Sequence, residues 1–202
     1  MTAEVNMVLP GRLLPRMHLL LAQGVQREAA AGISVRQFLL ETLPVEQGYV
    51  DDRIQTVFRD GRAVDDLAAE RISHPGVIAL SAAMPGVFGA AFRKGGRYGR
   101  MRGAYRQDDG ASGTGSGRRT VGVTLKCFNQ VAADLGDDLL AEGVCLDSED
   151  FLRFWRQRET MLAAEIRSLC VNGTEIPPDR LADTLAGRGG NLRLHVRRAS
   201  AA

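Results

Sequence analysis

The residues with the most distinctive chemistry lie near the middle of the chain. There the sequence reads Arg93-Lys94-Gly95-Gly96-Arg97-Tyr98-Gly99-Arg100-Met101-Arg102-Gly103-Ala104-Tyr105-Arg106. Guanidinium groups fork onto phosphate or carboxylate oxygens, and tyrosine rings offer stacking platforms. Arg93, Lys94, Arg97, Tyr98, Arg100, Arg102, Tyr105 and Arg106 are therefore the candidate residues for binding a partner or an anion. The anion would be a nucleic acid, an anionic lipid headgroup or an acidic protein surface. As a solvated spacer, the same charges would serve to keep flanking domains soluble. The run from Asp108 to Gly117 is Gly/Ser-rich and of low complexity, as linkers are.

Charge is partitioned around that segment. The 202 residues carry a net charge of +2, but residues 93–119 hold 8 Lys/Arg against 2 Asp/Glu. Residues 1–92 hold 8 against 10, and residues 120–202 hold 10 against 12. The whole positive excess thus sits between two mildly acidic stretches.

No other group of residues makes a catalytic or metal-binding pattern. Cys127, Cys145 and Cys170 lack the close spacing of metal ligands, and an odd number of thiols argues against a disulfide framework. They read as buried free thiols, with Cys127 and Cys145 able to face each other across a hairpin. His18, His74 and His195 are scattered away from any nucleophile motif. The acidic pairs Asp51-Asp52 and Asp65-Asp66 read as solvated turn residues. Gly113-Thr114-Gly115-Ser116-Gly117 lacks the strand-to-helix context of a phosphate-binding loop. The chain is expected to be non-enzymatic, with no cofactor and no metal. Pro10, Arg12 and Arg16 interrupt the apolar residues at the start, which predicts neither a signal peptide nor a membrane span. With free thiols, this points to a cytoplasmic protein. Ala82–Phe92 is uncharged and reads as a segment packed on its own domain, or as a docking strand for a partner.

These residues must be carried by a packed scaffold, which the 45% hydrophobic content allows. Residues 1–15 read as an arm or an edge strand around Val5–Leu9. Arg16–Ala22 and Val25–Ala31 read as a hairpin about Gln23-Gly24, with a single helix from Pro15 to Ala31 as the rival. Ser34 and Gln37 form a capping box that opens a helix burying Val35, Phe38 and Leu39. A strand over Ile54–Phe58 turns at Asp60-Gly61, and Val77–Ala82 closes the unit. In the second half, Val121, Val123, Leu125 and Cys127 alternate as a strand. Leu135-Gly136-Asp137-Asp138 reads as its turn, and Leu139–Leu146 as the returning strand. Asp147 is placed to cap a helix carrying Phe151, Leu152, Phe154, Trp155 and Leu162. Ile166–Val171 turns at Asn172-Gly173, Pro177-Pro178 opens a loop, and Leu192, Leu194 and Val196 alternate in a final half-buried strand.

Ile54–Leu80 and Ile166–Leu194 share this order: strand, Asp-Gly or Asn-Gly turn, acidic loop, closing strand. Phe38 precedes Ile54 by 16 positions and Phe151 precedes Ile166 by 15, so the chain reads as a tandem repeat with indels in loops.

The arrangement resembles the β-grasp, or ubiquitin-like, fold over about two thirds of the chain. Ile176-Pro177-Pro178-Asp179 is similar to a proline-rich stretch of ubiquitin. With Ser34, Asp60-Gly61 and the apolar run to Gly95-Gly96, the first unit is similar to the sulfur-carrier and molybdopterin-synthase small-subunit branch. The Arg/Gly/Tyr segment is similar to RGG-type RNA-binding stretches. The resemblance implies an α+β chain of two β-grasp domains, residues 1–92 and 120–202, each a mixed sheet on one helix. A basic flexible linker, 93–119, would join them. The repeat, with no catalytic constellation beside it, reads as an adaptor that engages a protein partner through sheet faces and edges, with nucleic acid or an anionic surface as an alternative partner for the basic linker. A carrier function is a further alternative. It would require cleavage after Gly96, because Gly95-Gly96 is internal and only a C-terminal carboxylate can be activated.

Overall fold

The structure is a computed structural model that describes residues 2–83, 89, 92–96, 119–187 and 189–200. Its elements, in chain order, are strand β1 (Ala3–Leu9), helices α1 (Leu14–Met17) and α2 (Leu19–Gln23), strands β2 (Val25–Ala30) and β3 (Ile33–Ser34), and helix α3 (Val35–Thr42). Then come a single π-helical turn (Tyr49–Arg53) and strands β4 (Thr56–Arg59), β5 (Arg62–Ala63), β6 (Arg71–Ile72) and β7 (Gly76–Ser81). Strand β8 (Thr120–Phe128), helix α4 (Asn129–Glu142), strand β9 (Val144–Asp147) and helices α5 (Ser148–Arg156) and α6 (Glu159–Ala163) follow. The chain closes with β10 (Ser168–Val171), β11 (Thr174–Glu175), α7 (Leu181–Leu185) and β12 (Asn191–Arg198). The fold class is α+β.

The chain forms two compact units, divided differently from the linear split at 1–92 and 120–202. A terminal unit joins Met1–Arg27 to Thr124–Ala202, and a middle unit comprises Glu28–Val123. The chain crosses between them inside β2 and again inside β8.

In the terminal unit the strand order is β11-β10-β1-β12-β9, with the start of β2 beside β9. β1 runs parallel to β12 and antiparallel to β10, so the sheet is mixed. β1 is accordingly an interior strand and not an arm or an edge. Ala3, Val5, Met7 and Leu9 alternate along it and are all buried, the period of a strand with one face in the core. Several helices serve this unit, not one. α4 packs on β12 and on α1 and α2, and α5 packs on β9 and α7. Trp155, Phe151 and Phe154 of α5 are fully buried.

Two expectations in this unit are corrected. Residues 14–23 are helical and only Val25–Ala30 is a strand. Leu13, Leu14, Met17, Leu20 and Leu21 are buried, a spacing of three and four that fits a helix and not a hairpin. Gly24, at φ 121°, ends the helix where other residues are strained. The proposed turn at Leu135–Asp138 lies inside α4. Val131, Leu135, Leu139 and Leu140 are buried on its inner side, and that helical period outweighs the turn-like Gly-Asp-Asp.

In the middle unit, β4 pairs antiparallel with both β5 and β7, and β3 pairs with β6. Asp60 and Gly61 turn at φ 50° and 79°, and Asn172 and Gly173 at φ 50° and 80°, the left-handed pair that a two-residue hairpin needs. Ser34 accepts the Gln37 N–H at 3.1 Å and caps α3. The Gln37 side chain also reaches forward along the helix, where its Nε2 donates to Glu41 Oε1 at 2.8 Å. Asp147 caps α5 by accepting from Glu149 and Asp150 N–H at 2.9 and 3.1 Å. Capped helix, strand, left-handed turn, strand and closing strand thus recur in both units. The pairing does not recur: β7 lies directly against β4, whereas β1 separates β12 from β10.

Candidate functional site

The basic segment is described only at its start. Arg93 is exposed, Lys94 is half-buried, Gly95 is exposed and Gly96 is half-buried. Arg97, Tyr98, Arg100, Arg102, Tyr105 and Arg106 lie outside the described residues, as does most of the Ala82–Phe92 run. Phe92 itself packs its ring on Phe58, with centroids 5.5 Å apart.

Lys94 belongs to the middle unit instead of opening a free linker. Its Nζ donates to Val50 O at 2.9 Å and Asp51 O at 3.2 Å, and its N–H donates to Gln55 O at 2.7 Å. Beside it, Arg36 Nη1 and Nη2 fork onto the two carboxylate oxygens of Asp51 at 2.6 and 2.7 Å. That pair holds the Asp51 carboxyl below its ordinary range. Burial pulls the Lys94 ammonium below its ordinary value, with Asp51 acting against that shift. The Gly95-Gly96 pair follows this anchored lysine, and Gly96 N–H returns to Arg93 O at 2.9 Å. A tail threading into an enzyme would first have to leave these contacts.

The second candidate region is the polar face of the terminal unit's sheet. Alternation puts the residues between the buried ones of β1 and β12 on that face, and strand register arranges them in rows. One row runs Glu4, Arg193, Cys145, Gln26. The next runs Cys170, Asn6, His195, and a third Ser168, Val8, Arg197. Asn6 Nδ2 donates to Glu4 Oε1 at 3.1 Å, and His195 Nε2 lies 3.9 Å from the same oxygen. Arg193 and Arg197 are exposed and form no ion pair among the described residues. Sequence reading saw the alternation in β12 but not these rows, because the partners of β12 lie far away in the chain.

The β11 edge of the terminal unit's sheet is short. β11 has two residues, and Pro177-Pro178 follow it after Ile176. Such edges resist the addition of a further strand. Beside β11, Ile166, Leu169, Ile176, Pro177 and Pro178 line an open groove of about 390 Å³.

The cysteines do not form a pair. Cys127 is buried with its alternating neighbours on β8, while Cys145 and Cys170 lie half-exposed on the polar face. Desolvation pushes the Cys127 thiol up to about 12, with Arg27 acting against that shift. Burial also raises Cys145. His18 is buried, with Nε2 2.7 Å from Asp137 Oδ1, and Arg198 donates to Asp137 Oδ2 at 3.0 Å. His74 is exposed, and its carbonyl accepts from the buried Arg59 at 2.8 Å. Asp65 and Asp66 stay in an exposed loop, where Asp66 accepts the Ala68 and Ala69 N–H groups. Asp51 is not a merely solvated turn residue, since it is paired with Arg36. Among the described residues no group of three or more His, Cys, Asp or Glu is arranged to hold a metal ion. No described helix is long and apolar enough to cross a membrane.

Compared with protein-family models, curated proteins and solved structures, the chain has no significant match to any of the three.

Proposed function

We propose that the protein is a non-enzymatic adaptor of two ubiquitin-like units, which engages a protein partner on the polar sheet face of the terminal unit. The observation that carries this reading is the set of cross-strand rows on β1, β12 and β9. They offer hydrogen-bonding side chains and two exposed cations, Arg193 and Arg197, on a rigid sheet. Polar faces of this kind give specificity through complementary charge. The short β11 edge favours docking on the face over strand addition there. The test is co-purification and cross-linking from native extract with wild type and with Arg193→Glu/Arg197→Glu. The partner should be lost in the variant while its circular dichroism stays unchanged. A partner retained at wild-type level removes the reading.

The charge of residues 93–119 supports a second reading, binding of a polyanion such as single-stranded RNA. Several Lys/Arg contacts to phosphate make affinity fall steeply with salt, on the order of a hundredfold between low and moderate salt. Fluorescence anisotropy with a labelled oligonucleotide at two salt concentrations measures this. Salt-independent binding, or none, excludes it.

A further inference from the structure

The π-helical turn at Tyr49–Arg53 leaves carbonyls that need donors. A helix end exposes its last C=O groups, which must find caps or water. Here Tyr49 O receives the Ile54 N–H at 3.2 Å. The next amide, Gln55 N–H, is diverted to Ser81 O at 3.1 Å, so the helical ladder stops. Asp52 O is then filled by the Gln55 side chain at 2.5 Å. Val50 O and Asp51 O are filled by one group, the Lys94 ammonium, from 44 and 43 residues away in the chain. Cations are favoured at the carboxyl end of a helix, where the carbonyl dipoles converge.

The segment around Lys94 is held at further points. The Lys94 N–H bonds to Gln55 O, the Phe92 ring rests on Phe58, and Gly95 at φ 63° turns the chain so that Gly96 N–H meets Arg93 O. The Asp51 carboxylate is already engaged by Arg36. Lys94 is therefore directed to the carbonyls and not to the nearest acid.

We propose that residues 92–96 are a strap, with Lys94 as a clasp that closes the carboxyl end of the 49–53 turn and anchors the start of the basic run to it. Lys94 is then a positioning residue, withdrawn from any partner of that run, while the exposed Arg93 remains available. This inference does not depend on the adaptor reading.

Two measurements on the full chain test it. Amide exchange of wild-type protein should show the residue 94 N–H protected; exchange at the rate of an unstructured chain overturns the proposal. Limited trypsinolysis, read by intact mass, should cut after Arg93 about tenfold faster in Lys94→Met than in wild type, the scale of losing hydrogen bonds to a charged donor at a part-exposed site. Lys94→Arg should restore much of the protection. Equal cleavage after Arg93 in wild type and Lys94→Met also overturns the proposal. Should Lys94→Met fail to fold, the wild-type exchange measurement still decides.

Discussion

Gly136 in α4 offers a perturbation whose expected sign is opposite to the usual one. Replacing a glycine by alanine within a helix ordinarily stabilises by about 1 kcal/mol. Here an added Cβ would lie 2.6 Å from both Cγ and Nε2 of His18. Contact needs more than 3.4 Å, so ring or helix must move by about 1 Å. The ring has little freedom, because it is buried and its Nε2 is bonded to Asp137 at 2.7 Å, one residue along the same helix. Overpacking of this kind costs about 1–3 kcal/mol, and moving the ring away sacrifices the His18–Asp137 bond, about 1 kcal/mol more. Set against the helix-propensity gain, Gly136→Ala should destabilise by about 1–3 kcal/mol. Urea unfolding followed by tryptophan fluorescence measures this, since Trp155 is buried in the same unit. In a His18→Ala background the clash is absent, and Gly136→Ala should become neutral or stabilising. A Gly136→Ala single variant as stable as wild type, or more so, refutes the reasoning.

Three other outcomes are expected. Asp147→Ala removes the acceptor of two N–H bonds at the start of α5 and should cost about 1 kcal/mol by the same unfolding assay, within the 0.5–2 range of caps. In native protein a thiol reagent should titrate Cys170 and, more slowly, Cys145. Cys127, buried and pushed up to about 12, should react only after denaturant is added. Because Arg36 lowers the Asp51 carboxyl in the fold, their pair stabilises the middle unit above the unfolded value of about 3.9. That contribution disappears as pH falls through the lower folded value. The protection of α3 and β4 amides, measured relative to the intrinsic exchange rate at each pH, should therefore fall on acidification below about pH 4, and Asp51→Asn should remove this component of the acid sensitivity.

Local signals in the sequence were legible where nearest neighbours decide the conformation. Ser34 and Asp147 are helix caps because a short side-chain oxygen reaches N–H groups two or three residues on. Asp60-Gly61 and Asn172-Gly173 are left-handed turns because these residues tolerate positive φ. The alternation of Leu192, Leu194 and Val196 marked β12 correctly. Leu135–Asp138 reads as a turn because Gly-Asp-Asp is turn chemistry; the apolar period of Val131, Leu135, Leu139 and Leu140 makes it helical, and His18, more than a hundred residues away, fills the space that a side chain at 136 would take.

The sequence by itself determined the α+β class, the capped helices, the two left-handed hairpin turns and the concentration of positive charge in 93–119. The tertiary structure decided which strands are neighbours, bringing β1 between β10 and β12, and joining Met1–Arg27 to the end of the chain. It also turned Lys94 from a free cation into the partner of Val50 and Asp51 carbonyls. Caps and turns are set by torsions and bonds spanning a few residues. Strand partnership and a lysine's acceptors are set by which distant surfaces leave water together, and no short window of sequence encodes that.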